Sequence, residues 1–88
     1  MPYIVQDRRD ELDSRIDEIS GRLEAMGWIQ GDVNYTFYRI LLAWWKSDSR
    51  YHTICSIMGT LSCVSQEIYR KVFAAYEDKA EEKNGKIT

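Results

Sequence analysis

The residues with chemistry to offer fall into two strips of tyrosines and cations. The first is Asn34, Tyr35, Tyr38 and Arg39. Tyr35 and Arg39 are four apart, so on a helix they are neighbours. The second holds Tyr69, Arg70, Lys71, Tyr76, Lys79 and Lys83, of which Tyr76, Lys79 and Lys83 share one helical face. Aromatic rings that stack a base, beside Arg or Lys that neutralises phosphate, are what a nucleotide pocket needs. The bland alternative is a row of core tyrosines with hydroxyls at the rim and solvated cations, and spacing alone favours it for each strip. A pocket formed between subunits would unite the two.

Other chemistries have less behind them. A metal site needs grouped ligands, and the sequence has one histidine, His52, three residues before Cys55, with Cys63 further on and no paired-cysteine spacing; no metal and no cofactor are expected. Nucleophilic catalysis needs Cys or Ser beside His and an orienting acid. His52 with Cys55 or Ser56 on one helix does not supply that, and packing thiols are the favoured reading. Asp10, Asp13 and Asp17 form a carboxylate ladder of the kind that holds a divalent ion with phosphate. With no matching acidic motif on the next helix, a solvated amphipathic face accounts for it better. The chain is therefore not read as an enzyme.

The elements that must position these strips are helices. Leu12, Ile16, Ile19, Leu23 and Met26 alternate at four and three, the seam of a helix–helix contact. That first helix is predicted to begin near Asp7 or Asp10 and to end at Gly27 in a left-handed cap. After a loop over residues 28–31, Asp32 is predicted to cap a second helix. It carries Val33, Phe37, Ile40, Leu41, Trp44 and Trp45 and stops at Lys46 or Ser47. Asp48 or Ser49 is expected to cap the third. Ile54, Met58, Leu61, Val64, Ile68, Val72 and Tyr76 recur at three and four along a stretch of over thirty residues without proline. Helices that long are uncommon, so a break is allowed for at residues 59–63 or 74–77. Cys55, Gly59 and Cys63 step by four, small residues that would let another helix come close. A short strand pairing between residues 3–5 and 86–88 is a minor expectation.

Bulk properties limit the partners. At 88 residues the chain is read as one domain, with residues 1–6 an arm and 84–88 a tail, and a domain that short is marginal alone. Three Trp, six Tyr and two Phe are more than one such core hides comfortably. Burial against a second copy is the simplest resolution, with Trp44, Trp45, Cys55 and Gly59 as interface candidates. A net charge of −2 with signs intermixed argues against duplex nucleic acid. No apolar run is long enough to span a bilayer and no basic-then-apolar leader opens the chain. Cys55 and Cys63 are about 12 Å apart along a helix, too far to bridge. Reduced, buried thiols in a cytoplasm are expected.

The whole chain resembles a family of small uncharacterised proteins found in phages, prophages and microbial genomes. The matching pieces are Tyr3-Ile4, Asp7-Arg8 and Leu12-Asp13, then Gly31-Asp32-Val33-Asn34-Tyr35 leading to Arg39-Ile40-Leu41. Gly59, Leu61, Cys63, Glu67-Ile68-Tyr69-Arg70-Lys71-Val72, Tyr76-Glu77-Asp78-Lys79, Glu82 and Asn84-Gly85 complete the set. The last third is the most specific. The family pattern has Pro where this chain has Ala75, which weakens a helix break there. It ends Asn-Gly-Asp-Val-Tyr, where this chain ends Asn84-Gly85-Lys86-Ile87-Thr88. The family has no established activity. Its fixed polar residues map onto Asn34, Tyr35, Arg39, Tyr69, Arg70, Tyr76, Glu77, Asp78, Lys79 and Asn84, which coincide with the two strips.

The expectation is thus an all-α protein, a helical hairpin plus a long third helix, assembled as a homo-oligomer. Its expected role is non-enzymatic binding of a small nucleotide-like ligand. In a phage setting that means sequestering a nucleotide-derived immune signal in the host cytoplasm, with Tyr35, Tyr38 and Tyr76 stacking and Arg39, Arg70 and Lys79 pairing phosphate. The alternative is a protein–protein adaptor or inhibitor that presents Trp44 and Trp45 to a host protein.

Overall fold

The computed structural model describes residues 4–86. Helix α1 spans Gln6–Ala25 and α2 spans Gln30–Ser47. Helix α3, Tyr51–Ile68, runs through a π-helical turn, Tyr69–Phe73, into α4, Ala74–Asn84. Among the described residues there is no strand. Of the expected pairing of residues 3–5 with 86–88, residues 3, 87 and 88 lie outside the described residues, and residues 4, 5 and 86 are in no strand. The described chain gathers into two compact units, residues 4–50 and 51–86.

In the first unit, α1 ends as its sequence predicts. Gly27 sits at φ +91°, where a residue without Cβ costs least. Its N–H donates to the Glu24 carbonyl at 3.0 Å, and Trp28 N–H donates to the Leu23 carbonyl at 2.9 Å, the two bonds of a Schellman cap. Trp28 itself is left-handed, at φ +54°. Two consecutive left-handed residues turn the chain within a short loop, and α2 begins at Gln30. That start overturns Asp32 as the cap: Ile29 occupies the cap position with no side-chain bond, and Asp32 lies inside the first turn. Its carboxylate acts there through the helix dipole. At the other end, Ser47 Oγ donates to the Trp44 carbonyl and Ser49 Oγ to the Trp45 carbonyl, at 2.6 and 2.9 Å. The serines thus close α2. Neither Asp48 nor Ser49 stands directly before α3, because Arg50 does.

Ile16, Ile19, Ser20 and Leu23 of α1 and Val33, Thr36, Phe37 and Ile40 of α2 line one apolar groove of about 330 Å3, closed at the loop by Trp28. Residues of both helices thus line one groove next to the loop that joins them. Leu23, 8% exposed, is the one buried hydrophobic residue among those described.

In the second unit, the break falls at neither expected place. It is a π-turn over Tyr69–Phe73, in which Ala74 N–H donates to the Tyr69 carbonyl five residues back. A π-turn accommodates one extra residue and rotates everything after it by about 100°. Helix α4 then runs through Asn84, so the tail is shorter than expected, and Gly85 caps it at φ +93° with its N–H on the Glu81 carbonyl. The arm too is shorter, since α1 starts at Gln6.

The surface is large for the mass. The protein exposes 7928 Å2. Two separate compact bodies with masses in proportion to the two units would expose about 6,500 Å2 between them. Contact between units only lowers the observed total, so about 1,400 Å2 is left over whatever their arrangement.

Candidate functional site

The strip on α2 is built from its own helical register. Arg39 Nη1 donates to the Tyr35 hydroxyl at 2.8 Å, and the guanidinium carbon lies 5.7 Å from the Tyr35 ring centroid. The four-residue spacing thus delivers a cation held against an aromatic ring. Asn34, Tyr35, Tyr38 and Arg39 are all exposed. A stacking face and a phosphate-pairing group are side by side there, open to solvent.

The second strip divides into two parts. Tyr69 and Arg70 are engaged within their own element. The Tyr69 hydroxyl donates to Glu77 Oε1 at 2.8 Å, and its ring meets Phe73 edge-on at 6.4 Å. Arg70 Nη2 donates to both carboxylate oxygens of Glu67 at 3.0 Å. Glu77 raises the Tyr69 hydroxyl above its ordinary pKa, first by the hydrogen bond and then by charge. The remaining residues are laid out differently. Tyr76, Lys79, Ala80, Lys83 and Asn84 line a shallow groove of about 360 Å3 along α4. An exposed ring, two ammonium groups and an amide converge there, and among the described residues neither lysine is ion-paired.

The sequence placed Tyr76, Lys79 and Lys83 on one face, and Asn84 joins them by extending the helix. It did not foresee the acids that hold Tyr69 and Arg70. The Glu67–Arg70 pair was visible as an i, i+3 spacing. The Tyr69–Glu77 bond was not. Eight residues apart on an α-helix, the two side chains point about 80° apart; the extra residue of the π-turn reduces that to about 20°.

The interface candidates separate in the same way. Trp44 is 38% exposed and Trp45 half-buried. Cys55 and Cys63 are free and exposed, which corrects the expectation of buried thiols. They lie on the side of α3 opposite Ile57, Leu61 and Val64, where nothing in their own unit covers them. A side chain added at Gly59 would meet open space, so nothing within the described chain requires glycine there. The α1 carboxylates do not converge: among the described residues no three of His, Cys, Asp and Glu gather as metal ligands would. No helix is long and apolar enough to cross a membrane, again among the described residues.

Comparison with known proteins places the chain in a family. The model of the domain of unknown function DUF6899 matches residues 1–87, and the chain belongs to that family. No curated protein and no solved structure matches it.

Proposed function

We propose that this chain is a non-enzymatic, homo-oligomeric binding protein whose ligand is a small nucleotide-like anion. The groove on α4 carries the reading. Tyr76 offers a face for stacking, Lys79 and Lys83 offer positive charge to phosphate, and Asn84 offers an amide to a base or sugar edge. Tyr35 and Arg39 supply a second stacking and pairing element on α2. Arg70 takes no part, since Glu67 already satisfies it, and Tyr69 supports the π-turn. The unburied surface supports the homo-oligomer, since its excess is larger than the roughly 800 Å2 per partner of a standard interface. In a phage setting such a protein would sequester a nucleotide-derived immune signal.

Thermal unfolding with a panel of cyclic nucleotides and ADP-ribose tests this. A ligand at about 100 times its dissociation constant stabilises by ~2.7 kcal/mol, about 10 °C or more for a chain this size. The shift should vanish in Lys79→Ala and Lys83→Ala and persist in Arg70→Ala. No shift at millimolar ligand removes the reading.

One observation favours a second reading. Trp44 leaves over a third of its surface open, and exposed Trp is a common anchor for a protein partner. As an adaptor, the chain would lose its host-protein complex on Trp44→Ala and keep it on Lys79→Ala.

A further inference from the structure

The second unit is one helical run, and a single helix cannot cover its own apolar face. Ile54, Met58, Leu61, Val64 and Ile68 lie along one side of α3 and stand 44, 61, 40, 46 and 44% exposed. Residues 51–66 contain no Asp, Glu, Lys or Arg, in a chain with 26 such residues. The next longest uncharged run is residues 25–31. No charged side chain therefore falls within the stretch that carries the apolar row from Ile54 to Val64.

The row also has an internal symmetry. Its steps are four, three, three and four, so it reads the same in both directions about Leu61. On the helical wheel, Ile54 and Ile68 lie about 20° to either side of Leu61, and Met58 and Val64 about 60° to either side. A twofold axis through Leu61, perpendicular to the helix, exchanges each pair. That is the requirement for a self-complementary contact, in which residue i meets residue j and j meets i.

The geometry points to α3 as the seam between two copies of this chain, paired antiparallel about Leu61. Ile54 of each copy packs on Ile68 of the other and Met58 on Val64, while Leu61 meets its own image. This rests on the self-association reading above and names the surface that performs it. The seam has natural limits. Helix α3 begins at Tyr51, and the π-turn starting at Tyr69 rotates the chain out of register directly after Ile68. The excess surface of about 1,400 Å2, summed over both units, is larger than the roughly 800 Å2 per partner of a standard interface, and the α3 row supplies part of it. Cys55, Gly59 and Cys63 lie on the far side of the helix and stay outside the seam.

Sedimentation of the full chain and disulfide trapping test it together. The wild type should sediment as a dimer or larger at micromolar concentration. Leu61→Glu places two carboxylates at the axis and should weaken association about 100-fold or more. Met58→Glu and Val64→Lys should each weaken it, and an equimolar mixture of the two should recover it, since the antiparallel register sets acid against base. Leu61→Cys in a Cys55→Ser, Cys63→Ser background should give a reducible covalent dimer, because facing Cα atoms on helices 8–10 Å apart come within bridging distance. Gly59→Cys in that background should not. An oligomer in which Leu61→Cys stays unlinked, while native Cys55 or Cys63 links readily, overturns this seam and leaves self-association standing. An oligomer without recovery in the mixture overturns the antiparallel register. A wild-type monomer overturns both this inference and the self-association reading.

Discussion

The α1–α2 hairpin and the α3–α4 run are made of similar helices and solve different problems. The hairpin has two apolar rows that face each other across one groove, with Leu23 buried at its closed end and a Schellman cap fixing the turn. The α3–α4 run has one apolar row and nothing in its own unit to lay it against. Its internal bonds, Arg70 to Glu67 and Tyr69 to Glu77, run along the helix surface rather than between elements. The first region sets apolar residues of two helices around one groove and buries Leu23 there, while Ile16, Ile19, Phe37 and Ile40 stay 53, 44, 57 and 55% exposed. The second presents a row that its own unit does not cover; if copies of the chain pair on it, its stability depends on concentration.

Core truncation gives the largest expected effect and the most direct way to break that contrast. Leu23→Ala removes the one buried hydrophobic side chain among those described, at the edge of an open groove. It should cost about 2–3 kcal/mol in denaturant unfolding, by the same amount at every protein concentration. Leu61→Ala should cost as much or less at high concentration and almost nothing once the protein is diluted to a monomer. Equal, concentration-independent losses at both positions would mean that the two regions are stabilised alike.

The two positive-φ glycines sharpen the comparison at a smaller scale. Gly27 and Gly85 have nearly the same φ, +91° and +93°, and open space around the missing Cβ, with Gly85 extended at ψ 148°. Gly27 joins two helices of one unit; Gly85 ends the last helix. A Cβ in the left-handed region costs about 1–2 kcal/mol. Gly27→Ala should show that full loss in thermal unfolding, because the hairpin cannot relax without giving up the two cap bonds. Gly85→Ala should be close to silent, since fraying the last turn releases the strain. A matching loss at Gly85 would show that the end of α4 is held as firmly as the hairpin turn.

Much of this contrast was legible in the sequence. The four-three alternation from Leu12 to Met26 and the Gly27 cap gave the first helix and its end. The Ile54–Ile68 row gave the third. Those signals are local: side-chain period and backbone preference act within a few residues. Helix α2 starting at Gln30 was missed because a left-handed Trp28 shortens the loop, and no propensity marks a tryptophan for that role. The buried-thiol expectation failed for a related reason. Cysteine is usually interior, but residue type does not report which face of α3 is covered, and both thiols stand exposed. At the site, spacing brought Tyr35 to Arg39 and Tyr76 to Lys79. It did not reveal that Tyr69 and Arg70 were already engaged. For Arg70 the rule was available. For Tyr69 it required knowing that one turn of the helix holds an extra residue.

That turn carries the smallest effect and the most local test. The Tyr69 hydroxyl bridges the π-turn to Glu77, and the bond holds only while the phenol keeps its proton. Glu77 raises the pKa of Tyr69, chiefly through that bond, with the charges of Glu77 and Asp78 adding to it. A group whose folded value is raised contributes its stability in full below the ordinary tyrosine value of about 10 and loses it as the pH climbs through the folded value. At neutral pH the bridge is therefore intact, and it opens only as the pH passes the raised folded value, above the ordinary tyrosine range. Ultraviolet difference titration should show one tyrosine ionising later than the rest, and Glu77→Gln should return it to the others. The wild type should lose a small helical signal over the same alkaline range, whereas Tyr69→Phe should not. Both signatures belong to a bond inside one helical run. They should survive Leu61→Glu, which is aimed at the proposed seam, and be indifferent to Leu23→Ala, which is aimed at the hairpin. If Leu61→Glu abolishes the late-titrating tyrosine, the π-turn is held by the neighbouring copy, and the second region owes even its local geometry to association.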